Sequence, residues 1–151
     1  MRFLNSIDIS ASGLTAQRLW MDTIANNMAN AETTRVEGGD GPYKRQVVVF
    51  EARKNADHKN FKDVLKDKTA SLGQGVRVKE IRSLEDTDAP FRKVYDPSHP
   101  DADQEGYLNY PNVNIVEEMM NMIAVTRSYE ANAKVIEATK GMAIRALDIG
   151  R

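Results

Sequence analysis

Apolar residues recur at helical spacing at both ends of the chain, whereas the stretch between them has the composition of strands and turns. In the N-terminal segment they recur every seven positions, at Ile7, Leu14, Met21 and Met28. Such a repeat places its members on one face of a helix. The spacing predicts a first helix that is capped by Asp8 or Ser10 and runs to about Asn30.

The C-terminal segment begins with a capping signal. Asn114 suits the N-cap position, and Glu117 three residues later completes a capping box. The apolar stripe beyond it alternates steps of three and four, as in the seam of a coiled coil, at Met119, Met122, Thr126, Tyr129, Ala133, Ile136, Lys140, Ala143 and Leu147. We therefore predict a long second helix from Asn114 to Asp148, with the first helix as its nearest partner.

The residues between the two helices predict a small β-rich region. Four segments have strand composition: Tyr43 to Arg53, Val76 to Ile81, Phe91 to Tyr95 and Gly106 to Tyr110. The unbroken apolar run in the first segment predicts burial on both of its faces. Turns are predicted at Glu37 to Pro42 and at Gly73 to Gly75, and Lys54 to Ser71 suits either a short helix or a mobile loop. The predicted fold class is α+β, in which long N- and C-terminal helices pack as an α-helical coiled-coil layer around an inserted β-rich domain.

Three asparagines stand within five positions near the end of the predicted first helix, at Asn26, Asn27 and Asn30. Asparagine is a poor residue for a helix interior because its amide competes for backbone hydrogen bonds. Asn26 and Asn30 share one helical face, and Ala25 and Ala29 form a neighbouring pair of small residues that lets another helix approach closely. Two interpretations remain open: a surface for meeting another polar helix, or a face exposed to solvent.

Charge and composition exclude several classes of partner. The 21 basic and 22 acidic side chains nearly cancel, so neither nucleic acid nor an anionic membrane surface is expected as a partner. No apolar run approaches the roughly 20 residues of a membrane span, and we expect neither a membrane-embedded segment nor a cleaved signal peptide. The absence of cysteine excludes disulfides and thiolate chemistry.

No motif in the chain supports catalysis or cofactor binding. Asp101, Asp103 and Glu105 ahead of Gly106 resemble the start of a calcium loop, but the closing position holds Asn112, so a solvated acidic turn is favoured over a calcium site. His99 lacks companions at metal-ligand spacing. The glycines from Gly38 to Gly41 lack the spacing of a phosphate-binding loop and indicate a hinge. We therefore expect no enzyme activity, no cofactor, no metal and no small-molecule substrate.

The termini resemble those of a known protein family. Ser12 to Gln17 together with Ile24 to Thr33 is similar to the N-terminal signature of the bacterial flagellar axial proteins of the rod and hook. Ser128 to Ile136 is similar to the matching C-terminal motif of the same family. The family includes two sister proteins of the proximal rod. The stretch from Tyr95 to Asn114 resembles one of them more than it resembles the other, FlgB.

This resemblance implies a structural subunit of the proximal rod, exported by the flagellar type III apparatus without a cleaved signal peptide and assembled in the periplasm. Its implied partners are further copies of itself and the axial proteins FlgB, FliE, FlgF and FlgG. It also implies three segments: an axial helix in 1–35, a β-rich middle domain in 36–112, and a C-terminal helix in 113–151 that pairs with the first. The subunit interface is expected at Leu14, Met21, Ile24, Ala25, Asn26, Asn27, Met28, Ala29, Asn30, Met119, Met122, Tyr129, Asn132, Ala133, Ile136, Ala143 and Leu147.

Three alternatives follow from the same residues. One is FlgB itself, within the family. A second is a helical binding or chaperone module that presents its C-terminal stripe to a single partner helix and forms a one-to-one complex. The third is a calcium-loop protein, whose stability would rise on addition of calcium.

Overall fold

A computed structural model describes residues 2–36, 41–53, 73–84 and 90–150. The described elements are, in chain order, α1 (Arg2–Ala29), β1 (Gln46–Ala52), β2 (Val76–Ser83), β3 (Arg92–Tyr95), β4 (Tyr107–Tyr110) and α2 (Ile115–Ile149). Two long helices near the chain ends thus flank a small region of paired strands, and the prediction of an α+β fold is confirmed. The stretch from Lys54 to Ser71, predicted as a short helix or a mobile loop, lies outside the described residues, as do residues 37–40 of the predicted first turn.

Helix α1 begins earlier than the sequence predicts. It starts at Arg2, so the predicted caps Asp8 and Ser10 lie inside the helix, and the prediction of a start there is wrong. Ser10 is buried, which shows that its small hydroxyl side chain fits a packed helix face. The predicted end is confirmed, because the helix ends at Ala29 and the side chain of Asn30 donates a 2.9 Å hydrogen bond to the Asn26 carbonyl. The same carbonyl also accepts the Asn30 backbone N–H at 3.1 Å, so Asn30 is bound to the last turn of the helix through both its backbone and its side chain.

The strands form two two-stranded sheets, β1 with β2 and β3 with β4. Hydrogen bonds that flank the first sheet join Leu84 N to Arg45 O and Arg53 N to Gly75 O, so β1 and β2 are antiparallel. The second sheet is antiparallel with Val94 opposite Leu108. The expected burial of β1 on both faces is wrong for Phe50, which is 38% exposed, because a two-stranded sheet is too narrow to be covered completely.

Helix α2 has the predicted N-cap but a different buried face. Asn114 Oδ1 accepts hydrogen bonds from Val116 N at 3.1 Å and Glu117 N at 3.4 Å, whereas the Glu117 carboxylate binds Arg45 instead of completing the capping box. The most buried positions of the helix are Glu118, Val125 and Thr139. These three positions lie one residue before members of the predicted seam, which stand exposed at Met119, Thr126 and Lys140.

The shift has a physical cause. A seam predicted from apolar residues omits buried polar residues, yet the Thr139 hydroxyl donates a 2.6 Å bond to the Val135 carbonyl and Glu118 is paired with an arginine. Hydrogen bonding removes most of the cost of burying such groups. Of the other members of the predicted seam, Leu147 is exposed, and the rest are half-buried: Met122, Tyr129, Ala133, Ile136 and Ala143.

Residue contacts divide the chain into two units. The first unit comprises 1–19, 50–79 and 126–151, and the second comprises 20–49 and 80–125. In the first unit, α1 is joined to β2 by Ser12, whose Oγ accepts a 3.1 Å hydrogen bond from Val76 N and donates one of 2.7 Å to Ile9 O. Gly75 has φ +87°, and a Cβ there would overlap Ser12 Oγ, so this junction requires glycine.

The second unit holds most of the buried apolar residues. Ile24 and Val125 are 1% and 0% exposed, and Val48 and Leu108 are also buried. The β3–β4 hairpin is closed by an edge-to-face contact between Tyr95 and Tyr107, with ring centroids 5.3 Å apart. In the part of the chain that the structure describes, neither helix is long and apolar enough to cross a membrane.

Candidate subunit interface

The asparagine segment of α1 is divided between interior and surface. Ile24 and Asn27 are each 1% exposed and belong to the core of the second unit. Ala25, Asn26 and Ala29 are exposed, and Asn30 is half-buried. Asn26 accepts a 2.9 Å bond from Asn30, so the face that the two residues share is held in one conformation. The asparagines therefore differ within one chain: Asn27 is buried, whereas Asn26 is exposed, and a contact of this face with another subunit stays a prediction.

Asn27 is the centre of a buried polar network. Its Nδ2 donates to Gln46 O at 2.8 Å and to Glu118 Oε2 at 3.3 Å. Its Oδ1 accepts from the Tyr43 hydroxyl and from Gln46 N, each at 2.9 Å. One side chain thus ties α1 to the start of β1 and to α2, and both donors and both acceptor sites of its amide are used.

Arg45 and Glu118 carry the charge of this network. Arg45 Nε and Nη2 donate to Glu118 Oε1 at 2.8 and 2.5 Å, and Nη2 also donates to the exposed Glu117 at 3.1 Å. Burial by itself lowers the pKa of Arg45, but the hydrogen bonds and charges of Glu118 and Glu117 outweigh it, so the pKa is raised. The strand backbone is fixed as well, because Arg45 N donates to Asn112 Oδ1 at 2.9 Å.

Burial raises the pKa of the Tyr43 hydroxyl, and the nearby charge of Glu118 raises it further. In the unfolded chain a tyrosine ionises near pH 10. Between that pH and the higher native pKa the unfolded state has lost its proton while the native state keeps it, so stability falls as the pH rises.

We expect Tyr43→Phe to remove part of the alkaline loss of stability. At neutral pH the free energy of unfolding of the variant should be about 1 kcal/mol lower than that of the parent chain, because the Asn27 amide oxygen loses one of its hydrogen-bond donors. Between neutral pH and about pH 11 its free energy of unfolding, measured by urea titration, should fall less than that of the parent chain. Tyr95→Phe, at a position that is 64% exposed, is the control. An equal alkaline loss in the parent chain and in Tyr43→Phe would contradict this assignment.

In the first unit a second polar pair joins the helices. Asn132 Nδ2 donates to Gln17 Oε1 at 3.2 Å. Gly13 lies against the same side chain, since a Cβ on Gly13 would stand 3.1 Å from Asn132 Nδ2. The sequence analysis assigned Asn132 to a subunit interface, and the structure places it in contact with α1 of its own chain. A polar pair of this kind fixes the register of two packed helices.

The remaining predicted interface residues differ in exposure. Met119 and Leu147 are 51% and 74% exposed. The others are half-buried: Leu14, Met21, Met28, Met122, Tyr129, Ala133, Ile136 and Ala143. A contact between subunits is not tested by the structure of one chain, so the interface assignment of the whole set stays a prediction.

An apolar patch lies on α2, and only one of its members, Met119, was among the predicted interface residues. It consists of Ile115, Val116, Met119, Met120 and Ile123, each between 45% and 65% exposed. Four of them stand at positions i, i+3, i+4 and i+7 and share one face of the helix, opposite the buried Glu118 and Val125. The signal was present, because four of the five residues stand within the first two turns of α2. Exposed clusters of this kind mark sites of protein association.

The carboxylates of the acidic turn before β4 accept hydrogen bonds from their own chain. Asp103 Oδ1 accepts from Glu105 N and Tyr107 N at 2.9 and 2.8 Å, and Asp101 Oδ2 accepts from the Thr34 hydroxyl at 2.8 Å. His99 Nδ1 accepts from Asp101 N at 3.1 Å. Within the described ranges no three histidine or carboxylate side chains are grouped to hold a metal ion.

The chemistry of the network is structural. Across the described residues, every buried side-chain nitrogen and oxygen has a hydrogen-bond partner. A network whose groups are all paired holds its elements in place. Among the described residues, the exposed alanines and asparagine of α1 and the apolar patch of α2 are surface features that a partner could cover.

Comparison with known proteins identifies relatives over the full length. The family model described as flagella basal body rod protein matches residues 7–35, and the one described as flagellar basal body rod FlgEFG protein C-terminal matches 104–149. The flagellar basal-body rod protein FlgC of Borreliella burgdorferi is 44% identical over 99% of this chain and 98% of its own. The proteins of the same name from Bacillus subtilis and Salmonella typhimurium are 38% and 36% identical, each over the whole of both chains.

Proposed function

This chain belongs to the FlgC family of flagellar basal-body rod proteins, and from that premise we propose that it polymerises through its terminal helices and transmits torque in the proximal rod. It is a structural subunit of the basal body. The names of the full-length relatives favour FlgC over its sister FlgB, and over a binding module that forms one-to-one complexes. No contact among the described residues favours any of the three alternatives drawn from the sequence.

The apolar patch of α2 is the observation that carries this proposal. Its five large side chains are exposed in the single chain, and covering them removes apolar surface from water, at roughly 25 cal/mol per Å². A polymer supplies such cover from a neighbouring subunit. The polar network beneath the patch supports the torque-bearing role, since it ties α2 to β1 and α1 through Arg45 and Asn27. Closely packed and fully hydrogen-bonded elements transmit strain.

The finer parts of the proposal follow from the family. Residues 1–35 and 113–151 would form the axial helical layer, with 36–112 as the β-rich domain beside it. Further copies of the chain, FlgB, FliE, FlgF and FlgG would be its neighbours in the rod. The flagellar type III apparatus would export it without a cleaved signal peptide, and assembly would take place in the periplasm. No catalytic step is part of this function.

Ile123→Lys tests the proposal. Ile123 is 55% exposed, so the substitution should change the free energy of unfolding of the isolated chain by less than about 0.5 kcal/mol. In a strain that lacks the native gene, however, the variant should accumulate in cells without entering basal bodies, because a buried ammonium at a subunit contact is costly. Swimming in soft agar and the protein content of purified basal bodies are the measurements.

The matched control is Ile81→Lys, which makes the same change at a 43% exposed strand position in the same unit. Ile81→Lys cells should swim. Normal swimming and normal basal-body content of the Ile123→Lys chain would refute assembly through this face of α2.

A further inference from the structure

We propose that a cleft between α1 and β2 in the first unit receives the apolar patch of α2 from a second copy of the chain. The inference rests on the proposed function, because it names the contact through which copies join. It assigns the apolar patch an occupant and gives a role to a cavity that the family relationship does not explain.

The cleft is an open cavity lined by described residues of the first unit, with a volume of about 620 Å³. Volumes of roughly 300 to 1,000 Å³ are typical of cavities that bury a ligand. Ala16 and Leu19 of α1 form one apolar wall, and Val76 and Val78 of β2 form the other. Leu19 is 37% exposed, so its side chain is accessible to an incoming apolar group.

Among the described residues that line the cleft, the charged ones are arginines: Arg18, Arg53 and Arg77. Arg77 is neutralised by an ion pair with Glu51 at 2.5 Å. Within the described part of the chain, the guanidinium groups of Arg18 and Arg53 have no acidic partner. An apolar cavity bordered by arginine side chains fits an amphipathic segment of negative charge.

The patch of α2 has the complementary character. Between Ile115 and Thr126 the helix carries Glu117 and Glu118 and no basic residue. Arg45 compensates one of these two charges, and the Glu117 side chain is 49% exposed beside the apolar residues. The patch therefore offers apolar side chains flanked by one net negative charge. Methionines at positions 119 and 120 suit an irregular cavity, because their side chains are unbranched and adaptable.

The consequence concerns the geometry of assembly. A contact between two different surfaces of the same chain is heterologous, and it repeats from copy to copy into a ring or an open helical polymer. The alternative, in which one patch packs against the same patch of a second copy, is isologous and closes as a dimer. A contact between the cleft of one copy and the apolar patch of the next therefore allows the chain to polymerise.

Cysteine crosslinking distinguishes these arrangements, because the chain has no cysteine of its own. Leu19→Cys places a thiol in the cleft and Met120→Cys places one in the patch. The two variants, each with a different epitope tag, are expressed together in cells that lack the native gene, and basal bodies are purified after mild oxidation. We expect a disulfide-linked dimer that contains both tags, and no such dimer when only one variant is present.

Two outcomes would overturn the proposal while the proposed function stands. If basal bodies contain both variants but no mixed disulfide, the cleft does not hold the patch. If Met120→Cys alone gives linked dimers, the patch pairs with itself. Normal swimming and normal basal-body content of the Ile123→Lys chain would instead count against assembly through the apolar patch, and so against the proposed function itself.

Charge supplies the second test. Arg18→Glu combined with Arg53→Glu in the Leu19→Cys chain should lower the yield of the mixed disulfide about tenfold, since like charges would then meet at the contact. Lys79→Glu is the control, because it reverses an exposed basic residue on β2 outside the cleft. An equal yield in the double variant and in the control would show that the arginines play no part in the contact.

Discussion

Asn27→Ala is expected to lower the free energy of unfolding of the second unit by about 3 kcal/mol, because a buried donor or acceptor left unpaired costs roughly 1 to 3 kcal/mol. The substitution removes partners from Gln46 N, Gln46 O, the Tyr43 hydroxyl and Glu118. Asn27 is 1% exposed, so water cannot simply take over all of these bonds. Urea denaturation gives the stability, and amide hydrogen exchange at Gln46 gives a local readout, since that amide loses its acceptor.

Two further variants define the origin of the effect. Asn26→Ala removes an exposed neighbour whose amide donates a long bond of 3.4 Å to Gln46 Oε1 and accepts one of 2.9 Å from Asn30. It should cost a few tenths of a kcal/mol. Asn27→Asp keeps the shape and the acceptor but removes the two donors and places a second carboxylate beside Glu118. It should therefore be as destabilising as Asn27→Ala. Equal stabilities of Asn26→Ala and Asn27→Ala would refute a central role for Asn27.

The elements of the fold could be predicted because their signals are local. The start of α2 is marked by Asn114, whose side chain accepts hydrogen bonds from the backbone amides of Val116 and Glu117. The strand positions followed from β-branched and aromatic residues between turn signals, and the φ of +94° at Gly73 and +87° at Gly75 shows why glycines precede β2. Local chemistry of this kind acts over a few residues and is readable from one sequence.

The buried polar network could not be predicted, because its partners are distant along the chain. Arg45 and Glu118 are 73 positions apart, and Asn27 and Glu118 are 91 apart. The seam was predicted from the spacing of apolar residues. It therefore included Met119, which is 51% exposed, and left out the buried Glu118. The same limit placed Asn26, Asn27 and Asn30 together in one predicted interface, although only Asn27 is buried against the strand. Which asparagine is buried depends on where β1 crosses α1, and no local pattern gives that.

Glu118→Ala should lower the free energy of unfolding by about 3 to 5 kcal/mol, which is typical when one partner of a buried ion pair is removed. The Glu118 side chain is 2% exposed and that of Arg45 is 19% exposed, so the substitution leaves a largely buried guanidinium with only the exposed Glu117 to compensate it. Glu117→Ala is the matched control, because it removes the other carboxylate of the same arginine at a 49% exposed side chain. Exposed ion pairs contribute about 0 to 1 kcal/mol.

A double substitution separates the charge from the packing. Arg45→Met combined with Glu118→Leu removes both charges and keeps most of the volume, and hydrophobic replacements of buried pairs are often neutral. The double variant should therefore be more stable than Glu118→Ala, apart from the cost of the Asn27 donor that Glu118 accepted. The two apolar side chains would still pack α2 against β1, although neither carries a charge. The double variant should therefore still enter basal bodies. If the double variant instead unfolds as easily as Glu118→Ala, the geometry of the Arg45–Glu118 hydrogen bonds, rather than the uncompensated charge, determines the stability of this unit.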